Sequence, residues 1–376
     1  MKTSFDISKF PTVVIWEMTR DCELPDARCP EEAQAKCDPL ELNTAEAERL
    51  LSDVAELQPP IFVFAGSDPL RRQDIYHLVH CAARQGLRPI LAPGASSHLD
   101  RNVVAELKHA GLWRLQLTLD GSSQALHEVV QGPVASFAAT LEALQWANEW
   151  HLPVQINTSL STRNMDDLED LAALLKTYRV LLWNITFPAE TDDLPSAREF
   201  EAIFARLYTL AQQVPFKIKT TEAQHYRRYV LEQRARAKSQ KLWQEPTFTE
   251  GIPGIMPVHE GRSTIFVSHA GEVYPGACLP VSAGNVRFQK LADIYRNAEI
   301  FAALRDVSKL TGKCGRCNFK EICGGSRARA LAALGDMFTE DVSCIYQPGA
   351  NVRVRNRPQP PKRVEDAKVK ISAEEA

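Results

Sequence analysis

Gly312-Lys313-Cys314-Gly315-Arg316-Cys317, followed by Ile322-Cys323-Gly324-Gly325-Ser326-Arg327, is the stretch on which the reading of this chain turns. It places three cysteines as Cys314-x2-Cys317-x5-Cys323, and Cys344 follows after 20 residues. The x2 spacing lets two thiolates on one turn grip a single centre. The third follows shortly, and the distant fourth folds back to close the site. Buried core cysteines do not come in a loop this rich in Gly, Lys and Arg. Four thiolates suit a zinc ion or an iron–sulfur cluster, and spacing alone does not separate the two.

The rest of the composition is ordinary. The chain has 376 residues, 44% hydrophobic and 24% charged, with a net charge of −3. Two domains are expected at this length. The charge balance argues against a nucleic-acid surface, which needs clustered Lys and Arg. Met1 to Phe10 has no apolar run of signal length. The longest apolar stretches, Val13 to Trp16 and Ile61 to Ala65, are too short to cross a bilayer. The expectation is a cytoplasmic protein with no membrane partner. Without a secretion signal its nine cysteines are not expected to pair as disulfides.

Outward from the cysteines, the first half alternates β-rich runs with amphipathic helices. Strands are expected near 12–17, 61–65, 89–92, 114–119, 154–158 and 180–186. Helices are expected near 43–57, 73–85, 100–110, 136–150, 165–176 and 197–212. Asn43 and Glu46 form a capping box, and Ala47, Leu50, Leu51, Val54 and Leu57 mark one face. Six such units mean a parallel sheet, open or rolled. Residues 217–244 read as a polar, basic helix and 246–257 as a Gly/Pro connector. Ala270-Gly271 is a hairpin turn between 263–267 and 272–274. From about residue 349 the composition is that of a disordered tail.

The words around the C-terminal cysteines resemble the SPASM or twitch domain, which extends many radical S-adenosylmethionine (SAM) enzymes and carries auxiliary [4Fe-4S] clusters. Gly284-Asn285-Val286, after Tyr274-Pro275, fits its opening hairpin. The two-cluster version has a further cysteine four residues after Cys323, where this chain has Arg327. The resemblance therefore implies one auxiliary cluster, held by Cys314, Cys317, Cys323 and Cys344. Cys278 lies near another ligand position but reads alone as a free thiol.

The same resemblance makes a demand on the first strand. Radical SAM proteins carry Cys-x3-Cys-x2-Cys in the loop after it, and the three thiolates hold a [4Fe-4S] cluster whose fourth iron binds SAM. Trp16-Glu17-Met18-Thr19-Arg20-Asp21-Cys22 matches the approach, but Cys22, Asp26 and Cys29 occupy the three positions, with Arg28 before the last. Three arrangements remain open. Asp26 ligates iron as a harder oxygen donor; Cys37 replaces it; or no stable cluster forms.

Further segments match at successive strand ends. Gly66, Ser67 and Asp68 stand where the family's Gly-Gly-Glu/Asp-Pro backbone holds the amino group of SAM, with Ser67 replacing the second glycine. Leu117-Thr118-Leu119-Asp120-Gly121 matches a Ser-Leu-Asp-Gly segment, and its Thr118 hydroxyl suits the SAM ribose or carboxylate. Asn157 is a ribose partner. All lie at the face where barrel enzymes place their chemistry. Lys219-Thr220-Thr221-Glu222 and His225-Tyr226-Arg227-Arg228 resemble a segment of a haem-biosynthesis branch. Arg227 and Arg228 read either as a carboxylate clamp or as a solvated helix face.

The resemblance implies an α/β fold: a partial (β/α)6 TIM-like barrel over 11–205, a helical bridge and connector over 206–260, a SPASM/twitch domain over 261–349, and a tail over 350–376. It implies an oxidoreductase or maturase that generates a 5′-deoxyadenosyl radical to modify a tetrapyrrole or peptide. A flavodoxin or ferredoxin would supply electrons. Only ten residues precede the first strand, which leaves no N-terminal peptide-recognition domain and tilts the expectation to a tetrapyrrole. The alternative is a degenerate protein that keeps the auxiliary cluster in a binding role.

Overall fold

Near-continuous apolar runs form the strands of the first half, as expected where both sheet faces are covered. In chain order they are β1 (Val13–Glu17), β2 (Ile61–Ala65), β3 (Pro89–Leu91), β4 (Arg114–Thr118), β5 (Val154–Ser159) and β6 (Val180–Thr186). Between them run α1 (Thr44–Leu57), α2 (Ile75–Arg84), α3 (Arg101–Ala110), α4 (Gln124–Gln131), α5 (Ser136–Glu149) and α6 (Leu168–Leu175), and α7 (Ala197–Leu210) follows β6. Each strand pairs in parallel with the next in sequence. This computed structural model describes residues 6–21, 38–94, 98–132, 136–189, 192–239 and 261–349. The connector at 246–257 and the tail from 350 lie outside them.

Period-2 alternation divides the strands between two cores. Val14, Trp16, Phe62 and Phe64 face the helices. Val13, Ile61, Val63 and Ile90 face the inside of the rolled sheet. The α1 capping box forms as its sequence demands, and the five apolar residues of the helix are buried, Leu50, Leu51, Val54 and Leu57 worth about 2 kcal/mol each.

One expectation fails after α7. Residues 217–221 are not helical; they form β7 (Lys217–Thr221), parallel to β6 and the last strand of the sheet. Helix α8 (His225–Ser239) begins only afterwards. The segment is polar because alternate residues line the barrel interior, which hid its strand character. Gln124–Gln131 is a further helix that the periodicity did not reveal.

The C-terminal part continues the same sheet. β8 (Thr264–Val267) lies parallel to β1, on the side away from β2. β9 (Glu272–Tyr274) returns antiparallel to β8, and β10 (Gly284–Asn285) pairs with β9. The order is therefore β10-β9-β8-β1-β2-β3-β4-β5-β6-β7, an incomplete barrel with β7 at one edge. Helices α9 (Leu291–Asn297), α10 (Glu299–Arg305), α11 (Gly312–Gly315) and α12 (Arg327–Leu334) complete the chain.

Polar side chains lock this part to the barrel. Thr12 Oγ1 lies 2.7 Å from Ser263 Oγ. His269 bridges Glu17, at 3.1 Å, and Asp38, at 3.2 Å. Arg287 binds Glu46 and the carbonyls of Leu40 and Ala270. Among the described residues no helix is long and apolar enough to cross a membrane.

Candidate functional site

Two sites lie along the carboxyl ends of the strands and beyond. At the first, Cys22, Asp26, Cys29 and Cys37 fall outside the described residues; their surroundings do not. Thr19 donates to Glu41 Oε1 at 2.5 Å, and Asp21 pairs with Arg71 at 2.9 Å. Gly66 has φ +130°, and a Cβ there would sit 2.5 Å from the Thr19 carbonyl. Only glycine lets the β2 loop lie against the end of β1. Ser67 N–H donates to the same carbonyl at 3.0 Å. A Cβ on Gly94 would meet the Ser67 carbonyl at 2.4 Å, so this turn is packed from both sides. Asp68 caps the short turn that follows, accepting from Leu70 N–H, with His98 at 3.6 Å. Arg72 was not singled out in the sequence. It stacks on Trp16 and donates to the carbonyls of Met18 and Leu42, fixing the loop to β1.

Asp120 is fully buried, and its carboxylate accepts from Ser159 N–H and Gln131. It therefore pins the β4 loop to β5 and α4. Asn157 faces the interior, accepting from Gln155 at 2.7 Å and Asn184 at 3.3 Å. Thr118 ends β4 beside it in register. Gly66, Ser67, Thr118 and Asn157 thus stand at ends of β2, β4 and β5, on one rim.

The second site gathers Cys314, Cys317, Cys323 and Cys344 around one pocket, walled also by His225, Arg228 and Tyr346. None is in a disulfide. Backbone N–H groups of Asp341, Phe319 and Gly325 each lie 3.4 Å from the sulfurs of Cys314, Cys317 and Cys323. Such donors favour thiolate. Burial pushes the Cys317 thiol up and the Cys344 thiol up to about 11, so a metal centre that displaces their protons relieves a penalty built into the site.

Four thiolates on one pocket suit a zinc ion or an iron–sulfur cluster. A separate set, Glu48, His77 and Cys81 on the outer helices, brings three metal-ligating atoms within 4.8 Å of one another. Cys278 is exposed and does not line the four-thiol pocket.

A buried polar knot joins this site to the barrel. Arg329, 1% exposed, lies 3.4 Å from Asp341, 0% exposed. Arg329 also donates to the Glu222 carbonyl at 2.7 Å and stacks on Phe200. Burial opposes ionisation of Asp341, but Arg329 holds its carboxyl below the usual range. Glu222 accepts from Ser326. Arg327 donates to the Met337 and Thr339 carbonyls and reaches 3.8 Å from Cys314 Sγ. Arg228 is buried, paired with Glu201 and Glu232, and lies under the Tyr346 ring. Arg227 binds the Ile322 carbonyl. The solvated-face reading is thus replaced: Arg228 walls the cysteine site, and Arg227 holds the backbone next to Cys323.

Residues 22–175 match the model of the Radical SAM superfamily. The chain is 33% identical over 348 residues to the AdoMet-dependent heme synthase of Methanosarcina barkeri, covering 90% of this chain and 97% of that one. The chain belongs to the radical SAM superfamily. The radical SAM protein also aligns at 27% identity with the PqqA peptide cyclase of Rhodopseudomonas palustris, over 90% of this chain and 88% of the other. In fold it is similar to Streptococcus suis SuiB bound to S-adenosylmethionine, with TM-score 0.67 at 14% identity, covering 90% of this chain and 78% of that one. The architecture is a partial TIM-like barrel with a SPASM/twitch unit, in the haem-biosynthesis-like branch. The family's cofactors are SAM and [4Fe-4S] clusters.

Proposed function

We propose that this radical SAM protein is an oxidoreductase that modifies a tetrapyrrole. The observation that carries the reading is the near full-length match to a heme synthase, joined to four thiols that line one pocket. When bound, SAM and the core cluster supply a 5′-deoxyadenosyl radical, and the auxiliary cluster supplies a single-electron route. The chain's own residues position and seal. Gly66 and Ser67 present backbone to the SAM amino group. Thr118 and Asn157 offer a hydroxyl and an amide to the ribose. Cys22, Asp26 and Cys29 are the ligands assigned to the core cluster, and Cys314, Cys317, Cys323 and Cys344 those of the auxiliary one. A flavodoxin- or ferredoxin-like protein would deliver electrons. Relatives named as synthases and cyclases favour this over a binding-only role.

The test is anaerobic reconstitution of the full chain. About eight irons per chain, and 5′-deoxyadenosine released when iron coproporphyrin III is present, support the proposal. About four irons and no release, with both restored by Asp26→Cys, would mean that the natural chain does not catalyse. Release driven by an acidic peptide and not by the porphyrin would move the substrate to the peptide class.

A further inference from the structure

Inside the rolled sheet is a lumen of about 220 Å³, and its two walls differ. One wall is apolar: Val13, Ile15, Ile61, Val63 and Ile90 from β1 to β3. The other is polar: Gln116, Gln155, Asn157 and Asn184 from β4 to β6. The polar wall is internally satisfied. Gln155 donates to Gln116 and Asn157, and Asn184 accepts from Thr221 at 2.9 Å.

Two cations in the lumen are not satisfied. Arg114 opens β4 and is 1% exposed, yet its Nε and Nη1 are buried and meet no acceptor among the described residues. The Trp113 ring lies 4.8 Å from the guanidinium. Lys219 projects from β7 into the same space, with no ion pair among the described residues. Glu222, the one carboxylate on this lining, accepts from Ser326 through Oε2, and its Oε1 meets neither cation. A buried guanidinium without an acceptor is expensive, and native chains keep one where a ligand completes it.

We propose that Arg114 and Lys219 form a carboxylate clamp that receives an acidic arm of the substrate inside the barrel. The clamp rests on the tetrapyrrole reading for its ligand: a propionate of the macrocycle reaches into the lumen, between the apolar β1–β3 wall and the two cations. The guanidinium offers paired donors to a carboxylate, and the ammonium adds a point charge. The physical state of the empty site agrees. Burial, with Arg114 and Arg227 nearby, pushes Lys219 down to about 7, and burial pushes Arg114 down to about 10. A bound carboxylate would reverse both effects.

The experiment is an anaerobic Soret titration of reconstituted protein with iron coproporphyrin III and, separately, its tetramethyl ester. Arg114→Met and Lys219→Met should each weaken binding of the acid by about tenfold to a hundredfold and leave the ester unchanged. Acid binding at wild-type strength in both variants would overturn the clamp. Thermal melting without ligand separates a structural role. Arg114→Met removes an uncompensated buried charge, so its midpoint should hold or rise, and a fall of several degrees counts against the proposal. If wild-type protein binds neither porphyrin, the tetrapyrrole reading has failed, and sodium propionate decides the clamp by itself. Trp113 fluorescence should then respond saturably in wild type and not in Arg114→Met; no response in wild type refutes the clamp.

Discussion

Asp341→Asn removes a charge from the knot between barrel and cysteine site. The carboxylate accepts from Ser326 N–H at 2.8 Å and from Ser343 Oγ at 2.7 Å, and it faces Arg329. Asparagine keeps one acceptor oxygen, but its NH2 must face a donor. Arg329 is left as a buried cation without a counter-charge. Breaking one half of such a pair costs about 3–5 kcal/mol. At about 2 °C per kcal/mol for a chain of this size, the melting midpoint should fall by roughly 5–10 °C. Differential scanning calorimetry on reconstituted protein reads this directly. Arg329→Met should cost a similar amount. The double variant Arg329→Met/Asp341→Asn should cost clearly less than the two singles added, because neither charge is then orphaned. A midpoint within 1 °C of wild type for Asp341→Asn, or strict additivity in the double variant, would refute the reasoning.

Three further outcomes are expected. Hydrogen bonding to the Glu17 carboxylate raises the His269 pKa, so the stabilisation from this contact is complete below about pH 6.5 and is lost as pH rises through the higher folded value; His269→Gln should therefore lower the melting midpoint more at pH 6 than at pH 8.5, and an equal loss at both would count against a charged imidazole. Gly66→Ala meets the Thr19 carbonyl at a φ that side chains avoid, a strain of about 1–3 kcal/mol; SAM binding by calorimetry should weaken at least about tenfold, and unchanged affinity would remove the β2 loop from the cofactor site. Cys344→Ala should lower iron content by about four per chain while SAM binding persists; loss of SAM binding as well would mean that the two sites do not load independently.

Much of the fold could be read from the residues. The strands from Val13 to Thr186 are apolar because helices cover one face and the lumen the other, and their limits fall within a residue or two of expectation. Lys217–Thr221 escaped because its residues alternate toward a polar lumen, so it carries no apolar run. The alternation Arg114, Gln116, Thr118 against Leu115, Leu117 held the same signal: polar residues on the inward face of a buried strand. The four C-terminal cysteines were legible from spacing, but the choice between ion and cluster was not, since four thiolates serve either. Arg329 and Asp341 were invisible, because ionic partners 12 residues apart leave no periodic mark.

The pairing of β8 with β1 sets a constraint on how the chain is made. β1 leaves the ribosome before β2, which soon covers one of its edges. Its other edge waits for a partner some 251 residues downstream. At about 5–20 residues per second, Val13–Glu17 spends roughly 15–50 s with an unpaired apolar edge exposed. Nascent chains halted before residue 264 should therefore need a holding chaperone, and the first strand becomes the point at which synthesis of this protein is most prone to aggregation.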